Sequence, residues 1–418
     1  MVQWLRRHRG LLLDAMLTIY NILLTIYGLL LRVAAMWNSK ARAMLQGRKH
    51  SISSLALWRA SHQGPVIWVH CASHGEYEQV APLLALIKQR QPAQLLVLTF
   101  YSPSGYTAVQ GKTVADWVGY LPGDTKKATS EFLDLLRPKL AIWVKNEWWW
   151  QVLSQLSTRD VPIHSVAATF RPDQYFVRYP VRFMKQVLQS ITSLGVVDDA
   201  SCEVLAELLP NANCYRSGDI RADRVAALAM ADMPQHPICE KLQKQSNIVI
   251  YGSAWLSDAP ALALLRQQYP DYIHVIFPHD LTDDNIAAMQ EKFQCVLLQE
   301  ESALAAGVCY IAPVMGLLAY VYRCADYCYV GGGYGGGVHN VLEAAVYKKP
   351  VFVGPRYHKS KECAVLLDSG GLWDVKSLQS REGSWPSDME AKALTAANDF
   401  FSSHIGAADR TYVHIFTP

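Results

Sequence analysis

The sequence predicts an α/β protein made of two successive parallel sheets, preceded by an apolar helix with basic flanks. Three observations predict it. From residue 65 onward, short β-prone runs alternate with helical periodicity in two stretches, separated by a polar, proline-containing segment at 222–245. Residues 326–362 read as strand, glycine turn, helix, strand, a βαβ unit. Charge is skewed: Arg6, Arg7, Arg9, Arg32, Lys40, Arg42, Arg48 and Lys49 face only Asp14 within residues 1–50, or 8 − 1 = +7, which leaves 3 − 7 = −4 for the rest.

Length and composition set the outer limits. A chain of 418 residues has room for two or three domains with large cores. With 18% charged and 11% aromatic residues it is ordered, and a net charge of +3 argues against a general nucleic-acid binder. The nine cysteines (71, 202, 214, 239, 295, 309, 324, 328, 363) form no CxxC pair. They read as scattered free thiols, which places the body in a reducing, cytosolic compartment.

Seventeen uncharged residues lie between Asp14 and Arg32. As a helix they would cover ~25 Å, short of the ~30 Å hydrocarbon core. Asp14, Thr18, Asn21, Thr25, Gly28 and Arg32 recur at steps of three and four and form one polar seam. No small-residue cleavage site follows and the segment is long, which speaks against a cleaved signal peptide. A short span and a helix lying in the interface both fit.

The first α/β run predicts strands at 65–70, 95–100, 117–121, 140–144, 163–167 and 193–197. Helices are predicted at 77–89, 103–109, 126–136, from about 149, at 181–188 and at 200–208. The second run begins at 248–252 and ends near 375, and a last helix follows at about 387–404. The division is therefore 1–50 as anchor and basic linker, 51–222 as a first Rossmann-like domain, 223–245 as linker, 246–386 as a second Rossmann-like domain, and 387–418 as a C-terminal helical segment. Two such sheets in succession imply a cleft between domains, where folds of this kind bind ligands.

Two places carry candidate chemistry. The glycine stretch, Gly331 to Gly337, leads into Asn340, Val341, Leu342 and Glu343. A helix N-terminus at a sheet's carboxyl edge collects anions, and Glu343 is placed like an acid that accepts ribose hydroxyls. Ser73-His74-Gly75-Glu76 ends the first strand, where a carboxylate serves as a general base or as an acid capping the helix.

Taken together, WVHCASHGE, KNEWWW, GDIRAD, PHD, APVMG and GGGYGGGVHNVLEAA followed by PVFVGP, behind a basic N-terminal anchor, resemble the membrane-associated 3-deoxy-D-manno-octulosonic acid (Kdo) transferases of lipid A assembly. The match runs from the anchor to about residue 362. It implies an inverting, metal-independent glycosyltransferase of the GT-B fold, needing no cofactor. The implied donor is CMP-Kdo and the implied acceptor the lipid A precursor (lipid IVA), at the cytoplasmic face of the inner membrane and in contact with its lipid. Carried over by position, Glu76 matches the proton acceptor, Glu147 a motif glutamate near the reacting centre, and Arg221 a lysine of the family. Pro278 and His279 match a proline–arginine pair that contacts CMP. Met315, Gly316 and Leu317 match a Met-Gly-Glu turn, and Asn340 to Glu343 match Asn-x-Leu-Glu.

His279 thus replaces an arginine, for which Arg356 or Lys359 is a substitute, and Leu317 replaces a glutamate. Val338 replaces a glycine, and Trp148-Trp149-Trp150 replace Leu-Trp-Pro. Phe170, Arg171, Arg178, Arg182 and Lys185, with Tyr175, Phe176 and Tyr179, are expected to meet phosphorylated lipid. A membrane-associated transferase using a UDP-sugar and a GT-B-fold nucleotide-sugar epimerase would share the frame. The anchor speaks against the epimerase.

Overall fold

The computed structural model describes residues 2–178, 182–299, 303–358, 360–376 and 388–417. The chain divides into two compact units, Met1–Asp223 together with Gly406–Pro418, and Arg224–Ile405.

The first unit holds seven parallel strands: β1 (Val66–Cys71), β2 (Leu95–Phe100), β3 (Trp117–Tyr120), β4 (Pro138–Val144), β5 (Ile163–Ala168), β6 (Ser193–Val196) and β7 (Cys214–Arg216). They lie in the order β3-β2-β1-β4-β5-β6-β7. The order reverses between β1 and β4, which makes the carboxyl ends of those two strands the natural crevice. β1 is buried along its whole length, as a parallel strand covered on both faces must be. Its alternate side chains build two cores. Val66 and Trp68 pack with Phe132, Trp143 and Leu153, while Ile67, Val69 and Cys71 pack with Leu83, Leu84 and Ile87 of the helix His74–Arg90.

The second unit repeats the plan with β8 (Ile248–Ala254), β9 (Ile273–Pro278), β10 (Val296–Leu297), β11 (Cys309–Ile311), β12 (Tyr327–Val330), β13 (Val351–Val353) and β14 (Leu372–Asp374). The order β10-β11-β9-β8-β12-β13-β14 reverses between β8 and β12. The predicted two-sheet α/β architecture is the one observed.

Three stretches and the cysteine set differ from expectation. The basic segment read as a linker to residue 50 belongs to a 23-residue helix, Ser39–Ser61, capped by the Asn38 side chain. Its buried stripe, Met44, Ser51, Leu55 and Arg59, is sparse and partly polar, so the neighbouring lysines and arginines obscure its period. The Ser51 hydroxyl accepts from the Tyr120 amide at 2.8 Å. Gly47 passes so close to Tyr120 that a Cβ there would lie 2.3 Å from the ring. The stretch 222–245 is not irregular throughout: it carries the helices Ile220–Met230 and Pro237–Gln243, and the prolines confine the break to the residues between them.

The segment 387–418 forms two helices. Met389–His404 belongs to the second unit and Ala407–Phe416 to the first. The expected set of nine free thiols loses two members, because Cys295 and Cys309 form a disulfide where β10 and β11 pair. Strand adjacency brings them together, and their spacing in the sequence carries no sign of it.

The first helix runs Val2–Ala34, and by length and composition Met16–Ala34 is long and apolar enough to cross a membrane.

Candidate active site

In the first unit, Glu76 and Glu147 leave the two strands that flank the reversal point. Glu76 sits in the first turn of the helix His74–Arg90, directly after β1, and its side chain is 8% exposed. Its carboxylate accepts from the Ala72 amide, the reach-back of an acid three residues into a helix. Glu147 follows β4, and its carboxylate accepts from the Trp149 indole at 3.0 Å. Between them Lys145 adopts φ +59, a left-handed conformation that costs a lysine roughly 1–2 kcal/mol. Such strain is held where surrounding structure fixes it, and here it turns the chain sharply at the exit of β4.

Burial pushes the Glu76 carboxyl up from its ordinary 4.5 to about 7. The Ala72 amide opposes that rise, the charge of Glu147 adds to it, and Lys145 and the Ser73 amide oppose it. Glu147 is also raised by burial, against the Trp149 indole and Lys145. A buried carboxyl that titrates near neutrality can hold or accept a proton at working pH, which a solvated glutamate does poorly.

Arg221 is placed differently. Its guanidinium forms a two-point pair with the buried Asp219, Nη2 to Oδ2 at 2.6 Å and Nε to Oδ1 at 3.0 Å. The next acid in the segment, Asp223, accepts from the amides of Gly406 and Ala408 and so caps the last helix. Much of the GDIRAD segment is therefore joinery within the first unit.

In the second unit the exits of β8, β9 and β12 carry three stacked rings. Trp255 and His279 lie 4.6 Å apart between centroids, His279 and His339 4.3 Å, and Trp255 and His339 6.2 Å, with planes within 27° of parallel. The Trp255 indole donates to His339 Nε2 at 2.8 Å, so that nitrogen carries no proton. Burial, with His279 beside it, lowers His339 to about 4. His279 is lowered by burial, with Asp280 opposing. The stack is uncharged at neutral pH and offers a flat face to a base or sugar ring.

Asp258, fully buried, ties this corner together. It accepts from the Trp255 amide at 2.9 Å, the Gly332 amide at 3.0 Å and the Tyr329 hydroxyl at 2.9 Å. Gly332 has φ +92, which only glycine adopts easily, and this conformation aims its amide at Asp258. Trp255 and Asp258 are not marked by the sequence, because WLSD looks like an ordinary loop until β12 is set beside β8, and His339, though inside the glycine motif, is given no role by it.

The remaining expected residues fall around this stack. Pro278 ends β9. The helix after the glycine loop is a single turn, Leu342–Ala345, so its dipole is weaker than a long helix would supply. Val341 and Leu342 are core residues. Asn340 accepts from the Leu342 amide and donates to Glu343 Oε1 at 3.2 Å. Met315 is 80% exposed, Gly316 has φ +82, and Leu317 is buried, so the residue standing where the family has glutamate points into the core. Arg356 lays its guanidinium on the glycine loop, Nη1 to the Gly335 carbonyl at 2.8 Å. Lys359, Tyr179 and the Arg182 side chain lie outside the described residues.

The surface expectation for Phe170 and Phe176 changes. Phe170 is buried in the first core, not exposed for lipid, and Phe176 packs edge-on against it. The three tryptophans pack against the same core: Trp148 stacks on Phe170 and Trp149 on Tyr101.

Two parallel seven-stranded sheets, each with chemistry-bearing residues at its reversal point, define a GT-B-type frame. The fold is similar to that of UDP-GlcNAc 2-epimerase from Neisseria meningitidis, with TM-score 0.58 over 84% of this chain and 99% of that one. At 14% identity this likeness concerns the fold alone. Residues 46–224 match the family described as 3-Deoxy-D-manno-octulosonic-acid transferase (kdotransferase). A 3-deoxy-D-manno-octulosonic acid transferase of Haemophilus influenzae is 26% identical over 335 residues, covering 74% of this chain and 76% of that protein. One of Rickettsia felis is 23% identical over 356 residues, covering 80% and 72%. The chain thus carries a 3-deoxy-D-manno-octulosonic acid transferase domain at 46–224, has relatives of that name over most of its length, and is a glycosyltransferase.

Proposed function

We propose that this enzyme transfers Kdo from CMP-Kdo to the lipid A precursor lipid IVA, with inversion and without a metal, at the cytoplasmic face of the inner membrane. Glu76 carries the reading: a buried carboxyl at the reversal point of the first sheet, raised to about 7, in a chain that carries this transferase domain. As the acceptor's primary hydroxyl attacks the anomeric carbon of Kdo, its proton passes to the Glu76 carboxylate. The bond from that carbon to the phosphate oxygen breaks, and CMP leaves with the electron pair. Glu147 keeps the Glu76 carboxylate basic by its charge, and Lys145 limits that effect.

The second unit holds the nucleotide. The Trp255–His279–His339 stack receives the base or sugar, and the glycine loop with Arg356 lies against the phosphate. CMP-Kdo carries a single phosphodiester, less charge than a sugar linked to a nucleoside diphosphate, which suits a corner with the Arg356 guanidinium and neutral imidazoles. Incubation of the protein with lipid IVA and CMP-Kdo generated in place tests the reading by product mass. Gain of a Kdo mass supports it, and an unchanged acceptor mass refutes it.

A further inference from the structure

The first helix shows two faces that a spanning segment does not need. Tyr20, Leu24, Gly28 and Leu31, at steps of four and three, are turned inward and half-buried, with Tyr27, 41% exposed, at their margin. Ile19, Ile22, Leu23, Ile26, Leu30 and Val33 are 47–61% exposed along the other side. The inward side is tied to the sheet of the first unit at three points. The Tyr20 hydroxyl donates to the Asp124 carboxylate, the Gln151 amide donates to Asn21 Oδ1 at 3.0 Å, and the Tyr27 hydroxyl meets that of Tyr101.

These three partners share one place in the fold. Tyr101 follows β2, Asp124 follows β3, and Gln151 opens the helix Trp150–Ser157 that follows β4. All stand at the carboxyl edge of the sheet, where Glu76 follows β1. None can be drawn away from it. Asp124 also accepts from the backbone amides of Gln151 and Val152, and Tyr101 stacks on Trp149 at 5.1 Å with the Arg48 guanidinium 5.1 Å from its ring centroid.

A helix spanning the bilayer with Met16–Ala34 would place residues 20–27 near the middle of the hydrocarbon. The carboxylate of Asp124 and the amide of Gln151 would have to follow, together with the sheet edge that carries them, and a charged group on a folded domain does not enter hydrocarbon. The span and the three ties are therefore alternatives.

We propose that this helix lies in the plane of the bilayer, its exposed apolar face in the acyl region and its inward face clasped by Asp124, Gln151 and Tyr101. The occupant of the apolar face is a lipid surface with anionic headgroups. Arg32 and Lys40 are exposed beside that face, and Trp37, 76% exposed, closes it with the residue type favoured at headgroup level. The loop after β5 adds the exposed Tyr175 and Arg178 at the same edge. The consequence is positional. The bilayer surface runs along the edge that holds Glu76, so a lipid acceptor reaches the carboxylate from within the membrane plane. The proposal rests on membrane association of the chain and is independent of which sugar is transferred.

Ile19, Ile26 and Val33 stand seven residues apart on the exposed face and span ~21 Å along the axis. Single Ile19→Cys, Ile26→Cys and Val33→Cys variants of the full chain, carrying an environment-sensitive fluorophore, are bound to phosphatidylethanolamine–phosphatidylglycerol vesicles brominated at known depths. The unsubstituted chain sets the labelling background. The expected result is one shallow depth, equal within ~5 Å at all three positions. A graded depth following the ~21 Å rise overturns the in-plane geometry, and absence of quenching at every position overturns membrane seating of this face. A second measurement places an epitope before residue 1. Protease added to inside-out vesicles is expected to remove it from the same side as the enzyme body, and protection there refutes the proposal. Product formation by the same preparations reports separately on the transferase reading.

Discussion

Replacing Glu76 with glutamine exchanges one oxygen for an amide nitrogen and keeps an oxygen able to accept from the Ala72 amide. Two effects of opposite sign follow. With Glu76 titrating at about 7, the carboxylate is about one-eleventh formed at pH 6 and ten-elevenths formed at pH 8, so kcat/KM for the native enzyme rises about tenfold across that interval. A carboxyl left at 4.5 would give a flat profile there. In the glutamine variant the acid limb disappears and turnover falls by about 10²–10⁴, the usual weight of a general base.

Stability moves the other way. The folded-state value lies above the unfolded one, so the favourable contribution of the neutral carboxyl is complete below 4.5 and is lost as pH rises through about 7. The interval from 4.5 to about 7 corresponds to about 3 kcal/mol, which the native protein forgoes above pH 8 and the glutamine variant retains. Urea unfolding at pH 8.5 is expected to show Glu76→Gln as the more stable protein, with the difference vanishing near pH 4. A variant with native turnover and no gain in stability at pH 8.5 would refute both the assignment and the reasoning from burial.

Glu147→Gln removes a charge that raises Glu76, so the acid limb of the rate profile shifts to lower pH; an unmoved or upward-shifted limb contradicts their coupling. Asp258→Ala strands three donors, the Trp255 and Gly332 amides and the Tyr329 hydroxyl, and is expected to cost roughly 3–5 kcal/mol in urea unfolding and to weaken CMP binding, a cost under ~1 kcal/mol being incompatible with its role. His279→Arg places a permanent cation where the family has arginine. Calorimetric affinity for CMP at pH 7.5 is expected to tighten about fivefold to tenfold, and unchanged affinity would remove His279 from the CMP-binding corner.

The parts of the fold legible in the sequence are those whose burial writes itself into residue type. β2 and the helix Lys126–Leu136 were readable to the residue, the first as a continuous apolar run and the second as a strong 3.6-residue stripe behind a Thr125 cap. β7 is short and half-exposed, and so leaves little pattern. Ser39–Ser61 hides a narrow apolar stripe under basic residues, and Phe170 looked like surface because an arginine follows it. The site divides in the same way. Glu76 and Glu147 stand in short local motifs at strand ends, whereas Trp255, Asp258 and His339 meet only through the pairing of β8 with β12. The ties of the first helix, spanning up to 130 residues in sequence, leave no local trace at all.

The helix Ala407–Phe416 has an implication for how this chain is made. Ala407 and Ala408 complete the core that β1 shares with the helix His74–Arg90, and Arg90 and Gln91 bond to Asp409 and Tyr412. The first unit begins to emerge from the ribosome early, yet its last piece is synthesised after the whole second unit. Throughout that interval an apolar flank of the first sheet is left uncovered, a natural station for chaperones. Loss of the final dozen residues to a premature stop or a protease would therefore undo the oldest part of the nascent protein, not its youngest.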